Sequence, residues 1–189
     1  YMLVNRTVDY SGLIGCAHNC TIKGVTIGKN SSVTGKARTG GVAGGFEGWS
    51  TTHAIRVESC VNYATIKGSQ KTAGIIGNLP TNQAVASMAY CGNYGSVTTS
   101  QGDSGGVAGQ ACDGRIEYCF NRGYLKTGSG GYGSGGICSS GYVSNSYNAG
   151  TGSTNSKITS RRSATNCYYT TDGMSGSNQG VGVTSDQMK

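Results

Sequence analysis

The sequence predicts an all-β solenoid in which short, glycine-rich rungs stack on one another. Two signatures recur at nearly constant spacing. The first is a Gly-apolar-apolar-Gly box, repeated 29, 33, 32 and 30 residues apart at 12–15, 41–44, 74–77, 106–109 and, with a final Ser, 136–139. The second is a Cys-x-Asn-x-Ala/Gly box, repeated 31, 28 and 27 residues apart at 60–64, 91–95, 119–123 and, with Ser146 in place of Cys, 146–150. Two markers that keep one period indicate a repeat architecture, here of five to six irregular rungs.

Residues at fixed offsets from the second box are apolar, as a stacked interior requires. Three positions before it the copies carry Val57, Met88, Ile116 and Val143, and six positions after it they carry Ile66, Val97 and Leu125. Cys60, Asn62, Ala64 and Ile66 alternate along the chain and therefore predict one face of a strand. Val57 is out of phase with that set, so we expect a corner near Ser59.

Composition agrees with a narrow, repetitive core. The 189 residues include 34 Gly and one Pro, with 35% hydrophobic and 12% charged residues. A conventional layered core would be thin at this hydrophobic content, whereas a solenoid shares a narrow core between neighbouring rungs. Glycine then serves the corners, where the chain turns sharply or passes close to the next rung. We expect the repeats to occupy residues 1–152 and a degenerate terminal repeat to occupy 153–189, where Asn166 to Tyr169 echo the second box.

The eight cysteines divide into two groups. Cys60, Cys91 and Cys119 share one column with Ser146. Because serine replaces a small buried thiol more readily than half of a disulfide, we expect reduced, core-packed thiols there. Cys16 and Cys20 form the best candidate for a local disulfide. With no Cys-x-x-Cys pair and only His18 and His53, the sequence predicts neither a zinc site nor another metal or cofactor.

The charge pattern excludes some partners. The formal charge is +7, but the basic residues are scattered and Arg161-Arg162 is their only adjacent pair, which predicts no nucleic-acid partner. No run approaches 18 apolar residues, so we expect no membrane insertion. The chain starts at Tyr1 without an initiator Met or a signal peptide, and we expect it to be part of a longer protein.

The GGVAG and GIIG boxes, the Cys-x-Asn-x-Gly boxes, the Asn-Cys-Tyr-Tyr echo and the Gly-rich tail ending in SDQMK together resemble the GLUG-motif repeats. That family occurs in large secreted or wall-attached bacterial proteins. The resemblance covers most of residues 12–189. It implies a right-handed parallel β-helix-like solenoid and extracellular or cell-wall display. It implies no catalytic residue.

The best enzymatic candidates are Glu58 and Glu117, which occupy one column two rungs apart with Ala89 between them. At the usual strand spacing their backbones would lie about 9–10 Å apart, which overlaps the separation of an inverting carboxylate pair. The alternative is that both are solvent-facing strand residues. The run from Gly102 to Gly106 matches the nucleophile box of chymotrypsin-like proteases, but it coincides with the first repeat box, and we interpret it as part of the repeat.

Aromatic residues supply the binding candidates. Tyr90 and Tyr118 share one column, and Tyr63 and Tyr94 share another. Such columns could contact a sugar or a protein, or they could cover the groove between rungs. Phe46 and Trp49 lie in a variable loop that is either a contact patch or packed onto the solenoid. The sequence therefore predicts a non-catalytic adhesin-like or spacer module whose possible partner is a host glycan or protein, with a polysaccharide-acting enzyme as the alternative.

Overall fold

The computed structural model describes residues 1–47, 54–79, 86–130, 133–177 and 179–188. Within these ranges the chain contains only strands, turns and irregular segments, and every strand pairing is parallel. The strands stack as a β-solenoid of about five turns. The all-β solenoid prediction is confirmed.

The described strands form four sheets, which we number 1 to 4. Sheet 1 contains Leu3–Asn5, Ser32–Thr34, Ala37–Gly40, Thr65–Gly68, Gln70–Ala73, Val97–Thr99, Ser104–Gly105, Tyr124–Lys126, Ser134–Gly135, Thr151–Ser156 and Met174–Ser177. Sheet 2 contains Ile14–Ala17, Ala43–Phe46, Ile76–Asn78, Ala108–Gln110, Cys138–Ser140 and Thr159–Arg161. Sheet 3 contains Thr21–Lys23, Ile55–Glu58, Ala86–Ala89, Arg115–Glu117, Tyr142–Ser144 and Ala164–Thr165. Sheet 4 contains Thr26–Ile27, Val61–Asn62, Gly92–Asn93, Phe120–Asn121, Tyr147–Asn148, Tyr168–Thr170 and Val181–Val183.

The chain passes through sheets 1, 2, 3 and 4 in order and returns to sheet 1, until the last turn, where Met174–Ser177 of sheet 1 is followed by Val181–Val183 of sheet 4. In sheet 2, Ala43 pairs with Ile76, which pairs with Ala108, so the register advances by the spacing of the first box. In sheet 4, Asn62 pairs with Asn93 at the spacing of the second box. Toward the C-terminus the offset shortens to 21 residues, as between Tyr147 and Tyr168. The division between residues 152 and 153 stays a prediction.

The corner between sheets 3 and 4 lies at the predicted position. Ser59 has a φ of 53°, and its counterparts Tyr90 and Tyr118 have φ values of 56° and 53°. This left-handed conformation reverses the direction in which the next side chain points. It therefore lets Val57 and Cys60, which are out of phase in sequence, both face the core. Both are fully buried.

The thiol column joins neighbouring rungs through hydrogen bonds. The backbone N–H of Cys60 donates to Sγ of Cys91 at 3.5 Å, and the N–H of Cys91 donates to Sγ of Cys119 at 3.4 Å. Ser146 continues the pattern, because its Oγ accepts the N–H of Cys119 at 3.0 Å. These groups are buried and unbridged, which confirms the prediction of reduced, core-packed thiols.

The candidate disulfide between Cys16 and Cys20 is not formed, since both thiols are free. Cys16 is exposed on its sheet 2 strand, whereas Cys20 is partly buried against the hydrophobic core. The two side chains thus face different environments, although four positions separate them in sequence.

The two sequence signatures meet inside the solenoid. The Asn of each second box is buried, and its amide joins the next rung. Nδ2 of Asn62 donates to Oδ1 of Asn93 at 2.9 Å, and the same bond links Asn93 to Asn121 and Asn121 to Asn148. We call this column, Asn62, Asn93, Asn121 and Asn148, the asparagine ladder.

A glycine of the first box faces each rung of the asparagine ladder. A Cβ atom on Gly74 would overlap Oδ1 of Asn93, and one on Gly106 would overlap the Asn121 amide. Gly41 and Gly136 stand in the same relation to Asn62 and Asn148. The Gly box and the Asn box therefore recur together because they are two sides of one close contact.

Candidate functional site

Sheet 4 carries aromatic rings on its outer surface, directly opposite the asparagine ladder. We call Tyr63, Tyr94, Phe120 and Tyr147 the aromatic ladder. Tyr63 and Tyr94 stack with ring centroids 4.9 Å apart and planes within 2°. The edge of one ring meets the other at 5.1 Å between Tyr94 and Phe120, and Phe120 stacks on Tyr147 at 5.4 Å. Four turns thus contribute to one continuous row.

Local backbone geometry places these rings outside. Asn62 and Asn93 point inward, so the residues next to them in the strand point outward. Tyr63 and Tyr94 follow the Asn in their rungs, while Phe120 and Tyr147 precede it. The Tyr94–Phe120 contact therefore joins a ring that follows the Asn of its rung to a ring that precedes the Asn of the next rung.

Gly92 makes room for part of this row. Gly92 pairs with Phe120 in the next turn, and a Cβ atom on Gly92 would overlap the Phe120 ring. The phenyl ring thus lies over the position that a side chain at residue 92 would occupy.

A second, shorter stack lies at the corner between sheets 3 and 4. Tyr90 and Tyr118 have centroids 5.1 Å apart and planes within 8°. Both belong to the left-handed corner column, and they are 61% and 49% exposed. The strained corner conformation turns these side chains away from the core.

Stacking covers part of each ring and leaves the rim free. Tyr63 and Tyr94 remain 43% and 42% exposed. Because their faces cover one another at about the strand spacing, the surface offered along the row consists mainly of ring edges and phenol hydroxyls. Burial raises the pKa of the Tyr147 hydroxyl, an effect that the Arg122 charge partly opposes.

The structure brings together the four tyrosines predicted from sequence in two stacks, and it separates Phe46 from them. Phe46 ends a sheet 2 strand, is only 2% exposed and packs in the hydrophobic core. The contact-patch interpretation is therefore corrected for Phe46, because a ring at this depth has no free surface to offer. Trp49 lies outside the described residues.

Two members of the aromatic ladder, Phe120 and Tyr147, were not among the sequence candidates. Column comparison grouped residues at equal offsets from the Asn, whereas the ladder crosses from one offset to another between Tyr94 and Phe120. The available signal was that Phe120 and Tyr147 are both aromatic and both directly precede the Asn.

The two carboxylates considered for catalysis lie in one column of sheet 3, with Ala89 paired to both. Glu58 forms an ion pair with Lys23, Nζ to Oε2 at 3.4 Å. Oε1 of Glu117 accepts a hydrogen bond from Ser144 at 3.2 Å. Each carboxylate therefore has a partner in a neighbouring strand. Ser104, in the protease-like box, is fully buried within its sheet 1 strand.

Two further ion pairs lie on the described surface. Asp9 pairs with Arg38 at 2.9 Å, and Asp113 pairs with Arg162 at 2.7 Å. No group of three or more His, Cys, Asp and Glu side chains suited to a metal ion occurs in the described ranges. The same part of the chain contains no helix with the length and hydropathy needed to cross a membrane.

Comparisons with known proteins identify no relative of the chain. No family model matches the chain, and neither the curated proteins nor the solved structures return a match. The resemblance to GLUG-motif repeats stays a prediction that depends on the boxes themselves.

Proposed function

We propose that this chain is a non-catalytic binding module that contacts a glycan through the aromatic ladder. The observation that carries the proposal is the continuous, partly exposed row of Tyr63, Tyr94, Phe120 and Tyr147. Tyrosine combines an apolar ring with a hydrogen-bonding hydroxyl, and both features suit the alternating C–H and O–H surface of a sugar.

The rigidity of the support favours recognition. The asparagine ladder behind the aromatic ladder links four turns through side-chain hydrogen bonds of 2.9 Å. Rings on such a support lose little additional freedom when a partner binds, which lowers the entropic cost of association. The adhesin-like role that we infer is therefore compatible with a repetitive, preformed surface.

The setting that we propose is a secreted or cell-wall-attached bacterial protein of which this chain is one part. The resemblance to GLUG-motif repeats supports this setting, and no described feature carries it independently. A spacer role is the principal rival, since ring stacking also stabilises neighbouring rungs by about 0.5–1.5 kcal/mol per pair.

A glycan array tests the proposal. We would compare the unmodified chain with a Tyr63→Ser, Tyr94→Ser double variant and with Tyr124→Ser as the matched control. Tyr124 is 47% exposed but lies in sheet 1, outside the ladder. We expect binding that only the double variant loses. Absence of binding to every glycan would refute the proposal and favour a spacer, and binding only to host proteins on a parallel array would replace the glycan by a protein.

A polysaccharide-acting enzyme is the alternative function, favoured by the shared column of Glu58 and Glu117. Its test is hydrolysis of a panel of polysaccharides by the unmodified chain and by Glu58→Gln and Glu117→Gln. Turnover that disappears in either variant would replace the non-catalytic proposal.

A further inference from the structure

The aromatic ladder has one end at which the next position in the stack carries no side chain. Tyr63 stacks on Tyr94 on one side. On its other side the preceding turn places Gly28, because Ile27 pairs with Asn62 and the N–H of Tyr63 donates to the Ile27 carbonyl at 2.9 Å. Gly28 therefore occupies the position that a further ladder residue would take.

The space outside Gly28 is open. Gly28 is exposed, and a Cβ atom built on it meets no atom within 4 Å. Among the described residues, Tyr63 forms a ring stack with Tyr94 alone. One face of the Tyr63 ring thus borders a gap at the level of the preceding turn.

The same sheet contains a filled version of this arrangement. At Gly92 the missing side chain leaves room for the Phe120 ring of the following turn. Gly92 belongs to the column that precedes the Asn and Gly28 to the column that follows it, but at both positions the missing side chain leaves space on the outer surface for a ring. At Gly28 no ring of the described chain takes that place.

We propose that the free face of Tyr63, above Gly28, is a stacking subsite for a single pyranose ring. This inference rests on the proposed glycan-binding function and locates one of its contacts. Sugars of gluco and galacto configuration have a flat patch of C–H groups that packs on an aromatic face. A pyranose there would extend the row in the way that Tyr94 extends it on the other side.

Polar groups flank the subsite. Lys29 and Asn30 follow Gly28 directly and are exposed. The N–H of Ser31 donates to the Gly28 carbonyl at 3.0 Å, which closes this segment into a tight turn. Lys29 and Asn30 therefore lie in the turn that directly follows Gly28, and an ammonium and an amide can both donate hydrogen bonds to sugar hydroxyls.

The geometry offers a substitution that fills the subsite without removing any contact. Gly28→Tyr adds a ring in open space at a position with no left-handed backbone constraint. Tyr63→Ser removes the platform itself. Ala149→Tyr is the matched control, because it adds a tyrosine to the same outward column four turns beyond Gly28.

The experiment titrates the full chain with lactose, cellobiose and di-N-acetylchitobiose, and it follows sugar C–H saturation transfer and the amide resonances of residues 28 and 63 by NMR. We expect at least one disaccharide to bind, with affinity reduced about tenfold or more in Gly28→Tyr and in Tyr63→Ser and unchanged in Ala149→Tyr. Unfolding midpoints of all variants exclude loss of the fold as the cause.

The outcomes separate this subsite from the general function. If glycan-array binding persists but Gly28→Tyr keeps its affinity within about twofold, the subsite is wrong and the proposed function stands. If no disaccharide binds while array hits depend on Tyr94, the single-ring subsite is likewise overturned. If neither assay detects a glycan, both proposals are refuted together.

Discussion

The two faces of sheet 4 carry ladders of opposite character. Inside, the first three asparagine amides each donate to the next asparagine, and the last, Asn148, donates to the Lys157 carbonyl. Each Oδ1 also accepts a backbone N–H of its own turn, as at 3.2 Å between Gly95 and Asn93. Outside, the rings change from stacked to edge-on contact along the row and remain partly exposed. The interior ladder is constrained at every position, whereas the exterior ladder keeps free rims and a free end.

The interior asparagines are needed for stability, whereas the exterior rings are available to contact a partner. A buried amide without partners carries a large penalty, so each asparagine of the ladder depends on the hydrogen bonds that it makes to the neighbouring turn and to its own backbone. An exposed ring can be lost at modest cost. Substitutions on the two faces should therefore differ in size and in the property that they change.

Removing one interior amide should have the largest effect. In Asn93→Ala, the Nδ2 of Asn62, the Oδ1 of Asn121 and the N–H of Gly95 all lose a buried partner. The Gly95 N–H still donates to the Asn62 carbonyl and the Asn121 Oδ1 still accepts the Gly123 N–H, while the bond from Asn93 to the Gly95 carbonyl is also lost. At about 0.5–1.5 kcal/mol for each of the four lost hydrogen bonds, we expect the free energy of unfolding to fall by about 2–6 kcal/mol. Urea denaturation measures it, with exposed Asn30→Ala as the control. A loss below about 1 kcal/mol would show that the ladder is not a structural requirement.

The second largest loss of stability is expected from adding a methyl group beside the asparagine ladder. Gly74→Ala places its Cβ against Oδ1 of Asn93 and the Gly106 carbonyl, so the two rungs must move apart. We expect a loss of about 1–3 kcal/mol in unfolding free energy. Gly28→Ala is the matched control, since its Cβ meets no atom, and it should be neutral or slightly stabilising. Equal thermal midpoints for the two variants would contradict the proposed contact between the boxes.

Substitutions at Cys91 show whether the thiol column stabilises the fold through hydrogen bonds or through packing of sulfur. Cys91→Ala leaves the N–H of Cys60 without its acceptor and should cost about 1–3 kcal/mol of unfolding free energy. Cys91→Ser keeps an acceptor and imitates Ser146, so we expect it to retain most of that stability. Chemical denaturation of both variants decides the question. A serine variant as unstable as the alanine variant would favour apolar packing of sulfur instead.

Alkaline pH should destabilise the fold through its buried thiols, including Cys91 of the thiol column and Cys138 of sheet 2. The hydrogen bond with Cys119 and burial raise the pKa of Cys91 to about 12, and burial raises that of Cys138 to about 12, from an ordinary 9.0. The unfolded chain loses these protons first, so stability is complete below pH 9 and falls as the pH rises toward 12. The slope is about 1.4 kcal/mol per pH unit for each such thiol. Denaturation at several pH values should give a shallower decline for Cys91→Ser, and an identical decline would refute the assignment.

The smallest stability effect is expected on the outer face. Tyr94→Ser removes one stacked and one edge-on ring contact, which should cost about 0.5–1.5 kcal/mol of unfolding free energy. Tyr124→Ser, which lies outside the ladder, is the control, and thermal unfolding is the measurement. A loss comparable to that of Asn93→Ala would mean that the rings serve mainly to hold the rungs together, which would favour the spacer role.

Sequence reasoning was most successful for inward positions. The apolar columns around Val57 and Ile66, the corner at Ser59 and the reduced thiols from Cys60 to Cys119 were all predicted, and the structure confirms them. An inward residue stacks on its own counterpart about 4.8 Å away, so the same chemical requirement returns at every turn. Period and residue type are then sufficient to identify it.

The same reasoning was less successful for outward positions and for the ends of strands. Cys16 and Cys20 are close in sequence but face different environments, and Phe46 lies at the end of a strand rather than on a loop surface. The Tyr94–Phe120 contact joins two different column positions. Such contacts depend on side-chain torsions and on the direction of the chain at each corner, and neither has a periodic signature.

The sequence by itself determined the rung period, the parallel stacking and the residues that line the core, because each of these follows from a requirement repeated in every turn. Only the tertiary structure decided that the Gly box packs against the Asn box, which outward rings form a continuous row, and that the row ends in open space at Gly28. Those features join residues from different turns, and their geometry is set when the turns pack together.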